Sequence, residues 1–178
     1  MKTFNRFIGH LKTVNKHRST VRKLCFKFGL YRQGLTHDLS KFSPVEFING
    51  VKFFTGKESP HIGERKAYGY SKAWLNHKSR NKHHAEYWND ISLETGSHRP
   101  IDMPKKYLVE MFCDRVAASM IYEKEKYTDE SPLRYFLSHR DENQFSENTA
   151  KDLELLLTTL AYNGLDYTVD YIRNDFLK

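Results

Sequence analysis

The sequence predicts an all-α fold, and three observations carry that reading. Apolar side chains recur at spacings of three, four and seven, helix-start signals precede those runs, and no period-2 run or hairpin signal occurs. A compact bundle of about seven helices is expected, as a single domain over residues 1–178. Its motif-bearing part is residues 4–126, and acidic helices follow over 131–177.

Phe4, Phe7, Ile8, Leu11, Val14, Val21, Leu24, Cys25 and Phe28 predict one amphipathic helix over 4–28, with Gly29 where it stops. His10 and His17 lie seven apart and share a face with Val14. Residues 35–41 predict one or two further turns. Ser43-Pro44-x-Glu46 then supplies a cap, a first-turn proline and the acid of a capping box, so a helix should run from Pro44 to about Phe54. Residues 55–70, with Gly56, Pro60, Gly63 and Gly69, read as an exposed loop.

Ser71 caps a predicted helix through Trp74 to about Ser79, and the run NKHHAEYW at 81–88 follows directly. A second loop is expected over 89–103, around Gly96 and Pro100. Pro104 opens a strong helix to about Lys126. Three more helices are expected: one begun by Ser131-Pro132, one from Ser146 to near Asn163-Gly164, and one from Asp166 to near Phe176.

Composition narrows the functional classes. With 39% hydrophobic, 14% aromatic and 29% charged residues the chain is globular rather than disordered. Charges interrupt the apolar runs of the N-terminus before they reach signal-peptide length, and no stretch is long enough to span a bilayer, so a soluble cytoplasmic protein is expected. Cys25 and Cys113 suit two buried thiols in a reducing compartment. The net charge of +7 is uneven: residues 1–37 carry nine Lys or Arg and no acid. Such a field favours phosphate-bearing partners, whether a nucleotide, a nucleic acid or a membrane surface.

The nine histidines gain meaning from their company. Asp114 shares a helical face with Tyr107, Met111, Ala117, Ala118 and Ile121, where a carboxylate needs a metal or hydrogen-bond donors. Candidate partners are His17, the pair His37-Asp38, and His77, His83 and His84. Imidazole and carboxylate together suit one or two ions of Mn, Fe, Ni or Zn. His10 is an alternative to His17, and on a helix His83 and His84 would diverge by about 100°, serving different ions or leaving one unused. His77 would share the face of His84 if its helix continued. His61, His98 and His139 fall in loop or exposed positions and are expected to have no role. Lys41, Lys78, Arg80 and Lys82 are the expected phosphate contacts, Lys41 foremost. Glu86 is expected to hold the second nitrogen of a histidine, Glu46 to complete its capping box, and Tyr87 and Trp88 to pack in the core or stack on a base.

The order His17, His37-Asp38, Asp114 resembles the H…HD…D signature of the HD-domain metal-dependent phosphohydrolases. Lys41, and the later His83-His84-x-Glu86, resemble more narrowly the HD-GYP branch, although Glu86-Tyr87-Trp88 stands where that branch has Gly-Tyr-Pro. The wider wording, HDLSKFSPxEF with NKHHAEYW, is similar to a family of small bacterial and phage proteins. The resemblance spans residues 17–114. It implies an all-α fold and a divalent transition-metal site at which a metal-held hydroxide attacks a phosphate ester of a nucleotide or related small anion. In that scheme His37 binds an ion, Asp38 bridges two or orients the hydroxide, and Lys41 stabilises developing charge. Some HD-fold proteins that resemble this site are di-iron oxygenases, a second reading. A nucleotide or nucleic-acid binding module without turnover is a third, supported by the basic first helix and 25 aromatic residues.

Overall fold

The computed structural model describes residues 3–138 and 145–178. Lys2 and His139 lie outside the described residues. The architecture is all-α, with eight α-helices among the described residues: α1 (Thr3–Lys27), α2 (Tyr31–Thr36), α3 (Pro44–Phe53), α4 (Pro60–Tyr68), α5 (Lys72–Lys78), α6 (Lys105–Glu123), α7 (Ser131–Ser138) and α8 (Glu147–Tyr171). No described helix is long and apolar enough to cross a membrane.

The core forms around α6, which packs against α1, α2, α7 and α8. A helix embedded on several sides cannot keep one polar face, and α6 accordingly buries Leu108, Val109, Met111, Phe112, Cys113, Val116 and Ala117. Val21, Leu24, Cys25 and Phe28 meet it from α1, and Leu153, Leu156, Leu157 and Leu160 from α8. Both thiols are buried and free, as expected of them.

Two expectations are corrected. The stretch 55–70 contains α4, because Pro60 occupies the first helical turn and Gly69 closes the helix at φ 79°. Gly63 reads as a loop residue in sequence, yet it is the close-contact point for Phe53 of α3. Residues 89–103 carry a two-stranded antiparallel hairpin, β1 (Asn89–Ile91) with β2 (His98–Pro100), Asn89 facing Pro100. Both strands are almost wholly exposed, so no alternation of apolar and polar residues announced them. The expected break near Asn163-Gly164 is present: Gly164 takes non-helical backbone, φ 76°, ψ 175°, so α8 is two helical segments joined at a kink, and a π-helical turn, Ile172–Phe176, finishes the second.

α1 and α3 interlock through two glycines. A β-carbon on Gly50 would stand 2.1 Å from His10 Nε2, and one on Gly9 would stand 2.4 Å from Phe54 Cε1. His10 is thereby wedged against Gly50 between the rings of Phe47 and Phe54, at 5.3 and 5.9 Å between centroids. Gly50→Ala should therefore cost about 1–3 kcal/mol through overpacking. Equilibrium urea unfolding measures it, and an unchanged midpoint would refute the wedge.

Burial, aided by the charge of Lys41, lowers the His10 pKa from 6.5 to about 4. Between those values the unfolded chain binds a proton that the native one does not, so this contribution is complete above pH 6.5 and is lost as pH falls toward 4. The urea midpoint should drop between pH 7 and 4.5 by less in His10→Gln than in the wild type. Equal drops would remove His10 as the cause.

Candidate metal centre

The site begins where α2 ends. The His37 N–H donates to the Gln33 carbonyl at 2.8 Å, and Arg18 of α1 donates from Nε to the His37 carbonyl at 2.8 Å. Asp38 then takes left-handed backbone, φ 54° and ψ 26°, a conformation aspartate tolerates better than bulkier residues. A 3-10 turn follows over Leu39–Phe42. This reversal sends the Asp38 side chain inward, where it is 1% exposed.

The two oxygens of Asp38 face two different sets of donors. Oδ2 lies 3.3 Å from His37 Nε2, 3.6 Å from His17 Nε2 and 2.6 Å from Lys41 Nζ. Oδ1 lies 3.3 Å from His77 Nε2 and 3.4 Å from His83 Nε2. Asp114, from α6, joins the first set, its Oδ1 2.8 Å from His17 Nε2 and 3.5 Å from His37 Nε2. Two four-residue groups result, His17–His37–Asp38–Asp114 and Asp38–His77–His83–His84, each with its donor atoms within 4.8 Å of one another. Asp38 belongs to both.

The residues fit divalent metal. The Nε2 atoms of His37, His83 and His84 and Asp38 Oδ1 are buried without a hydrogen-bond partner. Buried polar atoms are almost always paired, and unpaired imidazole nitrogens gathered around one carboxylate form a nitrogen and oxygen donor set of the kind that transition metals prefer.

Two further carboxylates orient the imidazoles. Glu110 of α6 accepts from His37 Nδ1 at 2.9 Å and lies 3.1 Å from His83 Nδ1. Glu46 of α3 accepts from His77 Nδ1 at 2.7 Å and from Asn76 Nδ2 at 2.7 Å. A proton held at Nδ1 leaves the Nε2 lone pair aimed into the site. The capping box is thus only half made: Ser43 Oγ accepts from the Glu46 N–H, while the Glu46 carboxylate turns inward to α5.

The electrostatics agree with this division of labour. Burial opposes ionisation of Asp38, but His37, Lys41 and His77 outweigh it and hold the carboxyl well below its usual range. Asp114 is likewise held down against burial by His17 and His37. Burial would lower His37, yet Asp38, Asp114 and Glu110 raise it well above the ordinary imidazole value. His84 moves the other way, lowered by burial and then by His83 and His77.

The donor groups open on a cavity of about 930 Å³. Lys41 lines it together with Lys12 and Lys16 of α1, Lys57, and Lys124, whose backbone is strained at φ 53°, ψ −117°. Lys78, Arg80 and Lys82, expected as phosphate contacts, are not among its lining residues. The chain leaves the helix after α5, and Arg80 Nε donates to Asn76 Oδ1 while Lys82 Nζ stands over the rings of Tyr87 and Tyr107. Among the described residues Glu86 makes no hydrogen bond to a histidine; that role falls to Glu110 and Glu46.

Other placements follow from the same backbone. His77 and His84 do not share a helix face, because α5 stops at Lys78 and His83-His84 lies in irregular chain. Freed from helical geometry, both neighbouring imidazoles point to one site, 4.3 Å apart between centroids. His17 joins the donors and His10 does not. His61, expected to have no role, lines the cavity on α4 and sits 5.4 Å from the Trp74 ring. Reading its helix as a loop concealed it. Glu110 was legible in principle, since it lies four residues before Asp114 on one face of α6.

The model of the family described as Family of unknown function (DUF5662) matches residues 6–159, a span that contains every candidate donor. No curated protein and no solved structure matches the chain.

Replacing Glu110 by Gln should weaken binding of Mn²⁺ by about 10–100-fold, because the carboxylate oxygen that His37 and His83 share becomes a neutral, weaker amide acceptor. Calorimetric titration of the wild type and the variant measures this. An unchanged affinity would show that Glu110 does not orient the donors.

Proposed function

The chain belongs to the DUF5662 family, and we propose that it is a metal-dependent phosphohydrolase of the HD type, acting on a phosphate ester of a nucleotide or related anion. The observation that carries this reading is the Asp38 carboxylate, whose two oxygens divide between two histidine-rich donor groups. His17, His37 and Asp114 would hold one ion, and His77, His83 and His84 a second, with Asp38 common to both. Divalent ions so held supply charge to polarise a phosphoryl oxygen and lower the pKa of bound water.

The protein's own groups do the rest. Lys12, Lys16, Lys57 and Lys124 draw an anion into the cavity. Lys41, 2.6 Å from Asp38 Oδ2 and itself lining the cavity, is placed to offset charge that grows on a phosphoryl group in the transition state. Burial opposes its ammonium, but Asp38 and Asp114 keep its pKa raised, so it stays charged at neutral pH. Glu46 and Glu110 hold the rings still, so that little reorganisation is left for the reacting complex.

Asp38→Ala should lower hydrolysis of a phosphomonoester and phosphodiester panel by at least about 100-fold and abolish stoichiometric metal, while helix content measured by circular dichroism survives. Wild-type protein loaded with Mn²⁺ or Fe²⁺ that turns over nothing in the panel would overturn the proposal. So would an Asp38→Ala variant that keeps its activity.

A further inference from the structure

Charge is sorted by sign over α1, α2 and α3. Residues 1–57 carry twelve Lys or Arg and two acids, Asp38 and Glu46. Both acids are buried, so the charged side chains that this stretch presents to solvent are all cationic. Lys12, Lys16, Arg22, Lys23, Lys27 and Arg32 are exposed among them.

Beside these cations stands a connected apolar patch. Phe7 of α1 meets Phe47 of α3 edge to face at 5.4 Å between centroids, and Phe47 stacks on Phe42 at 6.2 Å. Arg18 closes one end of the row, its guanidinium 5.2 Å from the Phe42 ring centroid. Arg6 Nη1 donates to the Lys52 carbonyl at 3.1 Å and holds the start of α1 against the end of α3. Two large apolar side chains project beyond the row: Phe4, one turn before Phe7, is 72% exposed, and Ile48, next to Phe47, is 65% exposed. Leu39, in the 3-10 turn that ends at Phe42, is exposed as well. Scattered exposed apolar residues are ordinary, but a connected set flanked by one sign of charge marks an interaction surface.

The partner must be anionic and must accept apolar side chains that project outward. Single-stranded nucleic acid is anionic, yet it is gripped by stacking its bases, and Ile48 and Leu39 have no ring to stack on. An acidic protein would have to match each projecting side chain with its own pocket. An anionic bilayer meets both demands: its headgroups attract Lys and Arg, and the boundary with its acyl chains takes Phe, Leu and Ile in any arrangement.

We infer that the face formed by the start of α1, the turn at Leu39–Phe42 and α3 is a docking surface for an anionic lipid bilayer. Phe4 and Ile48 enter the acyl boundary, and the exposed cations of α1 meet the headgroups. Nothing in this assignment rests on the phosphohydrolase reading, and its test reads no turnover.

Co-sedimentation of the full-length protein with vesicles of phosphatidylcholine, alone or mixed with phosphatidylglycerol, measures the docking. Affinity should favour the mixed vesicles at least about tenfold and fall as salt is raised. Phe4→Ser and Ile48→Ser should each weaken it by about three- to tenfold with helix content unchanged. Reversing two cations, in the double variant Arg22→Glu with Lys23→Glu, should weaken it at least about tenfold and carries the test should either serine variant not fold. No binding, or equal binding to both kinds of vesicle, would overturn the assignment. So would serine variants that bind like the wild type, or a charge-reversed protein whose affinity is unchanged. A labelled single-stranded oligonucleotide supplies the comparison: affinity for it that Phe4→Ser weakens, with no binding to vesicles, would give the face to nucleic acid instead.

Discussion

The arrangement turns on one buried carboxylate. Asp38 is almost fully removed from solvent, and an ionised carboxylate there is tolerable only with opposite charge and donors around it. Lys41 supplies the charge from one turn further on, and imidazoles approach both oxygens from α1, the end of α2, α5 and the irregular chain after it. No neighbouring pair of elements contains the set. The site exists only when α1, α3, α5 and α6 are all docked, which ties the chemistry to the integrity of the fold.

That dependence explains several features that otherwise look unrelated. The close approach of α1 and α3 needs glycine at positions 9 and 50, and it places α3 so that Glu46 can reach His77 across the interface. Glu110, on a helix whose neighbours are otherwise apolar, touches His37 and His83, one from each donor group. It therefore couples the two halves of the centre as Asp38 does, from the outside. The left-handed turn at Asp38 is a modest local cost that lets consecutive residues His37 and Asp38 face the same interior point.

The surroundings of the donor groups differ in character, with lysines around the larger cavity and largely apolar walls in the smaller one beside it. Lysines from α1, residue 57 and residue 124 give the larger cavity a positive field, which acts over a distance and discriminates poorly among anions in general.

Much of this was legible before any coordinates. Helix periodicity located α1, α3, α5 and α6, and the conflict between Asp114 and its apolar helical face marked an ionisable group in need of company. His17, His37, His77, His83 and His84 followed from residue type. Glu46 was masked by a local reading, since a serine three residues earlier offered it a capping role that competes with the distant His77. His61 was lost with α4, and the basic run after α5 suggested phosphate contacts that the turn directs elsewhere. Sequence by itself determined the helices and the donor types, because periodicity and side-chain chemistry are local properties. Only tertiary structure decided which nitrogen faces which oxygen and which lysines line the cavity, because those depend on directions set by residues tens of positions apart.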